Sequence, residues 1–166
     1  MGVLTRALKA AWAEANKPKT AVIGDEFEQY VRKHLFPKEG YDLVHQTHDY
    51  EANKNDFVET SNEPDFRFRS RRSGREFSVE VKYRSRLYQG AVEWCKPYQL
   101  NRYKAIDKAM SVFVAIGLGG HPKSPEHVYI VPVRHIRYRR LFPSFLRHYE
   151  VPVDQRVNAD RILLSL

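Results

Sequence analysis

The order of secondary-structure patterns along the chain predicts an α/β fold, with a mixed central β-sheet flanked by helices. Residues 65–70 and 75–85 alternate apolar and polar side chains around Ser73-Gly74, which predicts a β-hairpin. A helical pattern follows over 98–110, and the almost wholly apolar run 111–118 is typical of a strand buried on both faces. A hairpin and then a helix that crosses to a buried strand indicate antiparallel and parallel pairing in one sheet.

The elements before the hairpin are predicted from periodicity and chain-breaking residues. Apolar residues recur at three- and four-residue steps over 4–15 and again over 20–36, which predicts two helices, the second of them ended by Pro37. Residues 41–47 predict a strand. The polar stretch 48–63 predicts an irregular loop.

After the buried strand, residues 127–133 predict a further strand and 134–149 a helix interrupted at Pro143, whereas 151–166 follows no clear pattern. The length suits one domain, and the sequence contains no internal repeat or convincing linker. We therefore expect a single domain over 1–166, with an N-terminal helical extension (1–19), a core (20–133) and a C-terminal helical extension (134–166).

The charge balance favours a polyanionic partner. The chain has 28 Lys and Arg against 20 Asp and Glu, a formal net charge of +8. Nucleic acid is the first candidate for such a field and an anionic membrane surface the second. The arginines crowd two stretches that also contain aromatic residues, 67–75 and 134–147, although a solvated surface would explain each stretch equally well.

Cysteine usage and hydropathy indicate the compartment. Cys95 is the one cysteine, so the chain forms no internal disulfide, which suits a reducing compartment. No run approaches 18 consecutive apolar residues, and the N-terminus lacks an apolar signal-peptide core. We expect a cytoplasmic protein with no membrane partner.

The second hairpin strand combines charged residues in a way that suggests chemistry. Successive side chains of a strand point to opposite faces, so Ser78, Glu80, Lys82 and Arg84 share one face and the apolar residues between them share the other. Glu80 and Lys82 are then about 7 Å apart. If the hairpin strands pair with their apolar faces aligned, Asp65 lies on the side of Glu80 and Lys82.

Two carboxylates and a lysine have a definite use together. Carboxylate oxygens suit a hard cation such as Mg²⁺. Such a metal polarises a phosphodiester and lowers the pKa of a bound water, while a neighbouring lysine holds that water or stabilises charge developing on phosphorus. The pattern therefore predicts phosphodiester hydrolysis.

The same residues carry a family resemblance. Glu63-Pro64-Asp65 followed by Val79-Glu80-Val81-Lys82 resembles the PD-(D/E)XK nuclease superfamily. Gly24-Asp25-Glu26-Phe27-Glu28 is similar to the G-x-x-F-E start of its archaeal Holliday junction resolvase-like and Mrr-like branches, and Gln99 resembles the glutamine that opens their next helix. The resemblance implies a restriction-endonuclease-like αβββαβ core, here with an extra N-terminal helix.

The resemblance also implies a function and a set of roles. The chain would be a metal-dependent endonuclease acting on DNA, with branched or structured DNA as one substrate class, with Mg²⁺ as cofactor and Mn²⁺ as its substitute. Homodimers are common in the family, so a homodimer is one expected arrangement. The metal would be held by Asp65, Glu80, the Val81 carbonyl and Glu28. Lys82 would be the catalytic lysine, and Gln99 would orient it or a substrate phosphate. The expected nucleic-acid-binding residues are Arg67, Arg69, Arg71, Arg72, Arg84 and Arg86.

Two other functions remain open at this stage. The chain could be a nucleic-acid-binding domain of the same fold without cleavage, which predicts salt-sensitive binding that survives loss of Lys82. It could instead be a module whose basic patches meet an acidic protein partner. Sequence alone does not separate DNA from RNA as the nucleic acid.

Overall fold

A computed structural model describes residues 19–47 and 63–166, together with Thr5, Leu8, Ala11 and Trp12. These four residues are helical, as the sequence predicted for 4–15, and Leu8 and Trp12 are 67% and 72% exposed. The remainder of that helix lies outside the described residues, as does the predicted loop except for Glu63.

The helix predicted over 20–36 is confirmed. Helix α1 spans Lys19–Tyr30 and continues as a π-helical turn, Val31–Leu35. Its buried side chains are Phe27, Tyr30, Val31 and Leu35, which recur at three- and four-residue steps and so form one apolar stripe. This stripe fixes which face of α1 packs on the sheet.

The main sheet has six strands, which lie in this order: β1 (Tyr41–Gln46), β2 (Phe66–Ser70), β3 (Glu76–Arg84), β5 (Val112–His121), β6 (Ser124–Pro132) and β8 (Glu150–Val151). Strands β2 and β3 form the predicted antiparallel hairpin, and β3 pairs with β5 in parallel. The connection between β3 and β5 passes through helix α2, Pro97–Asp107. The predicted mixed sheet is therefore confirmed.

The core forms one layer on each face of the sheet. On one face, Phe77 and Val79 of β3 belong to a cluster with Phe27 of α1. On the other, Val114 of β5 belongs to a cluster with Tyr103 of α2. The alternation along β3 therefore places Ser78, Glu80 and Lys82 on the α2 side, beneath a helix rather than in open solvent.

The prediction of a helix over 134–149, and with it of a purely helical C-terminal extension, is wrong. The buried anchors of this segment are Ile136, Leu141 and Leu146, and a five-residue spacing does not keep side chains on one helical face. Pro143 begins a short helix at its first position, where its missing N–H costs little, instead of interrupting a longer one.

Short elements replace the predicted helix. Strand β7 (Arg140–Leu141) pairs with β4 (Val92–Glu93) in a separate two-stranded sheet, and β8 extends the main sheet beside β6. The elements outside the main sheet are β4 (Val92–Glu93), the 3-10 turn Val133–His135, β7 (Arg140–Leu141), α3 (Pro143–Leu146), the 3-10 turn Arg147–Tyr149 and α4 (Ala159–Leu164).

Within the part of the chain that the structure describes, no helix is both long enough and apolar enough to cross a membrane.

Candidate active site

The β2–β3 hairpin brings Asp65 to Glu80. Phe66 pairs with Val79 in the antiparallel register, so Asp65, one residue earlier, stands opposite Glu80. The Asp65 Oδ2 atom accepts a hydrogen bond from the backbone N–H of Val81 at 2.7 Å. This bond ties the carboxylate to the strand that carries Glu80 and Lys82.

Lys82 and Glu80 form an ion pair on the α2 side of β3. The Lys82 Nζ atom lies 2.6 Å from Glu80 Oε1, and the two side chains are 23% and 4% exposed. Burial alone would lower the pKa of Lys82, but the charges of Glu80 and Asp65 outweigh it and raise that pKa. Lys82 is therefore a fully charged ammonium at neutral pH.

The electrostatics of Asp65 differ from those of an ordinary surface aspartate. Burial raises its pKa well above the usual value, and the negative charge of Glu80 raises it further. The Lys82 charge and the Val81 N–H oppose this rise, whereas the Glu28 charge adds to it. Neighbouring buried carboxylates of this kind are stabilised by additional positive charge.

Tyr103 is a site residue that the sequence analysis missed. It is 2% exposed on α2, and its hydroxyl hydrogen-bonds the Glu80 carboxylate. Burial and then the Glu80 charge raise the pKa of Tyr103, so it stays a neutral donor. Its ring stacks on that of Trp94, with centroids 5.9 Å apart. The sequence contains one indication of this role: Tyr103 follows Gln99 by four residues and therefore lies on the same helix face.

Glu28 and Gln99 are the two remaining residues that were expected to take part in catalysis. Glu28, half-buried on α1, is near enough for its charge to raise the pKa of Asp65. However, within residues 19–47 and 63–166 no three His, Cys, Asp or Glu side chains converge closely enough to hold a metal ion. The Gln99 Oε1 atom accepts the backbone N–H of Lys96 at 2.9 Å and so caps the start of α2.

The six arginines expected to bind nucleic acid fall into separate groups. Arg69 pairs with Glu76 at 2.6 Å and Arg71 with Asp42 at 2.8 Å, so their charges are compensated within the fold. Arg72 is exposed in the hairpin turn, about 20 Å of strand away from Lys82. Arg67 is half-buried beside Ser78. Arg84 and Arg86 remain beyond Lys82 at the other end of β3.

A cavity of about 440 Å³ opens beside Lys82. Arg84, Arg86 and Lys96 contribute further cationic side chains to its wall, and Glu93 contributes a carboxylate that pairs with Arg139 at 3.0 Å. The remaining wall residues are Tyr88, Ala91, Trp94, Cys95 and Gln99. Lys82 therefore faces a positively charged cavity of a size typical for ligand sites.

Comparison with solved structures identifies the fold. A Holliday junction resolvase, Hjc of the hyperthermophile Archaeoglobus fulgidus, superposes with a TM-score of 0.53 at 15% identity, covering 78% of this chain and 91% of Hjc. This chain has the fold of the PD-(D/E)XK nucleases. The restriction-endonuclease-like α/β fold that the sequence resemblance implied is thereby confirmed. No family profile matches the sequence, and no curated protein matches it.

Proposed function

We propose that this chain is a metal-dependent endonuclease that hydrolyses phosphodiester bonds in DNA. The observation that carries the proposal is the placement of Asp65, Glu80 and Lys82 side by side on one hairpin, in the fold of the PD-(D/E)XK nucleases. The similarity to a Holliday junction resolvase adds branched DNA to the substrates worth testing.

The donor set fits one divalent cation of the Mg²⁺ type. Asp65 and Glu80 supply hard carboxylate oxygens. Burial and then the Glu80 charge raise the pKa of Asp65, and a cation between the two carboxylates would relieve their repulsion. The Val81 carbonyl would be a further ligand, and Glu28 would act from the end of α1. Such a metal would supply Lewis-acid polarisation of the phosphodiester and a more acidic water.

The remaining chemistry belongs to the side chains themselves. The Lys82 ammonium can bind a nonbridging phosphate oxygen or hold the attacking water, and it stabilises the negative charge that develops on phosphorus. Tyr103 helps to hold the Glu80 carboxylate in one orientation through its hydroxyl. The cations beyond Lys82 would bind the flanking phosphates and position the strand.

One observation favours a second candidate, a nucleic-acid-binding domain that does not cleave. Glu80 is already paired with Lys82, and the described residues contain no cluster of three metal-binding side chains. A lysine engaged in this way neutralises the carboxylate without a metal. This candidate predicts DNA binding that is insensitive to divalent ions.

The test is a cleavage panel with purified protein. Labelled single-stranded, duplex, flapped and four-way-junction DNA, with RNA beside them, would be incubated with Mg²⁺, Mn²⁺ or EDTA. Asp65→Asn and Lys82→Met proteins run in parallel, and Lys108→Met serves as a matched surface control. Metal-dependent cleavage that both site variants lose supports the nuclease. Binding without cleavage in any condition supports the second candidate.

A further inference from the structure

The connection between β3 and α2, residues 85–96, forms a rigid arm that closes one side of the cavity beside Lys82. Strand β4 of the arm pairs with β7. The backbone N–H of Trp94 donates to the Arg139 carbonyl at 3.2 Å. Trp94 itself is fully buried, so the base of the arm is fixed to the core.

The tip of the arm is a tight turn that displays an aromatic side chain. Tyr88 and Ala91 exchange both backbone hydrogen bonds, at 2.9 and 3.1 Å, around Gln89 and Gly90. These two residues have positive φ values of 47° and 74°, as a two-residue hairpin turn requires. Arg140 donates to the Gln89 carbonyl at 3.0 Å and holds the turn in place. The Tyr88 ring is 64% exposed and borders the cavity.

Three cationic side chains line the same cavity one after another along the chain. Lys82 and Arg84 lie about 7 Å apart along β3, and Arg86 follows two residues later in the bend after the strand. The Arg84 side chain donates to the carbonyls of Tyr83 and Glu93, which fixes its position while leaving its charge uncompensated by those bonds. A row of cations next to an aromatic surface is the arrangement by which proteins bind an unpaired strand.

We propose that the cavity is a subsite for an unpaired nucleotide of single-stranded DNA, lying next to the phosphate that Lys82 addresses. Its backbone phosphates contact Arg84 and Arg86, and its base packs on the Tyr88 ring. A double helix is convex and can only cover the mouth of such a cavity, whereas a single strand can follow the concave wall. The inference rests on the proposed nuclease function and narrows its substrates to DNA with an unpaired segment beside the cleaved bond.

The direct test is binding of a labelled oligothymidylate of about ten nucleotides, a common single-strand site size. The full chain is used in EDTA, so that no cleavage is needed. Tyr88→Ala loses one base–aromatic stack and should bind about 5- to 150-fold more weakly, whereas Tyr88→Phe keeps the ring and should bind like the wild type. Tyr88 is exposed at a surface turn, so neither substitution should change the temperature of thermal unfolding.

Charge supplies an independent readout. Arg86→Ala should make the logarithmic salt dependence of binding shallower by about 0.7, the value for one lost phosphate contact to a single strand. Arg161→Ala is the matched control, since this exposed arginine lies on α4, which packs on the opposite face of the sheet. Unchanged affinity in Tyr88→Ala together with an unchanged salt slope in Arg86→Ala would overturn the subsite.

Cleavage assays separate this inference from the nuclease proposal. If flapped and overhanging duplexes are cut at least ten-fold faster than blunt duplex, and Tyr88→Ala abolishes the preference, both stand. Equal cutting of all substrates by wild type and Tyr88→Ala overturns the subsite and leaves the nuclease intact. Oligothymidylate binding that is sensitive to Tyr88 and Arg86, without cleavage of any substrate, supports the subsite and overturns the nuclease.

Discussion

The Asp65 carboxylate accepts the backbone N–H of Val81 at 2.7 Å, in a place where burial and then the Glu80 charge oppose its ionisation. One side chain thus serves the hairpin as a hydrogen-bond acceptor and destabilises the fold as a charge. Conflicts of this kind are common at functional sites, where stability is given up for chemistry.

Asp65→Asn should separate the two effects. The amide oxygen can still accept the Val81 N–H, while the charge is removed, so we expect cleavage to be lost and the free energy of unfolding to rise by about 0.5–2 kcal/mol at pH 8. This corresponds to roughly 1–8 °C in Tm for a chain of this size. Differential scanning fluorimetry in EDTA measures it, and a variant less stable than wild type would contradict the electrostatic account.

The pH dependence of stability checks the same point. The pKa of Asp65 is higher in the folded protein than the value of about 4 in an unfolded chain, so the folded state binds the extra proton between these two pKa values. Stability should therefore fall as the pH rises from about 4 through the folded pKa. The Asp65→Asn protein should lack this decline. If the free energy of unfolding changes with pH in parallel for the two proteins, Asp65 is not the group responsible.

The ion pair of Lys82 with Glu80 predicts a strongly non-additive pair of substitutions. Lys82→Met leaves the buried Glu80 carboxylate beside Asp65 without its cation, and we expect a loss of about 2 kcal/mol in the free energy of unfolding. That is below the 3–5 kcal/mol of a wholly buried pair because Lys82 is 23% exposed.

Adding Glu80→Gln to Lys82→Met should restore most of the lost stability, since the uncompensated charge disappears. A double-mutant cycle by urea unfolding gives the coupling energy between the two residues. Lys108 is an exposed residue at the C-terminal end of α2, and Lys108→Met should change the free energy of unfolding by less than about 0.5 kcal/mol. Additive effects of the two site substitutions would argue against a direct pair.

The hairpin and its charged face were predictable because both depend on local alternation. Asp65, Glu80 and Lys82 lie close together as a direct result of strand period and antiparallel pairing, which the residues around Ser73-Gly74 encode. The helix before β5 was predictable for a similar reason, since its pattern and the buried strand after it are continuous in sequence.

The C-terminal segment and Tyr103 were not predictable in this way. Strands β7 and β8 have two residues each and exist because β4 and β6 offer them hydrogen bonds, so their own sequence carries no period. In the sequence, Tyr103 is one aromatic residue of an amphipathic helix. Only the β3–α2–β5 crossover brings it next to Glu80. Both depend on contacts between segments distant in sequence, and single-chain periodicity does not record such contacts.

Tyr103→Phe should weaken the site without disturbing the core. The ring and its stacking on Trp94 remain, but Glu80 loses the hydroxyl donor, so we expect about 10-fold lower cleavage and a higher metal concentration for half-maximal activity. The free energy of unfolding should fall by about 1 kcal/mol. Tyr149→Phe is the matched control, because it removes a hydroxyl that bonds His135 at the surface. Equal effects of the two variants would indicate a purely structural hydroxyl.

Cys95 should react slowly although it borders the cavity. Burial raises the pKa of its thiol to about 11, and the nearby Lys82 and Arg139 charges only partly offset this. At pH 8 the folded protein should react with a disulfide reagent at least 100-fold more slowly than the unfolded chain, and the rate should climb with pH up to about 11. Rapid reaction of the native protein at pH 8 would mean that the thiol is ionised or open to solvent.

Substitution by alanine should change stability in opposite directions at Gly117 and Gly24. A Cβ atom at Gly117 of β5 would lie 2.5 Å from the Phe27 ring of α1, which is fully buried and has no room to retreat. Gly117→Ala should therefore cost about 1–3 kcal/mol of stability by forcing α1 away from the sheet. A Cβ atom at Gly24 meets nothing within 4 Å, so Gly24→Ala in the interior of α1 should add about 0.5–1 kcal/mol.

The Gly117 substitution also tests whether α1 matters for activity. Glu28 directly follows Phe27, so a shift of α1 moves its carboxylate relative to Asp65, and Gly117→Ala should reduce cleavage beyond what the lost stability explains at a temperature where the protein is folded. Phe27→Leu in the same chain makes room for the added methyl group and should recover both stability and cleavage. Recovery of stability without cleavage would show that the Phe27 ring itself, rather than the position of α1, is what the site requires.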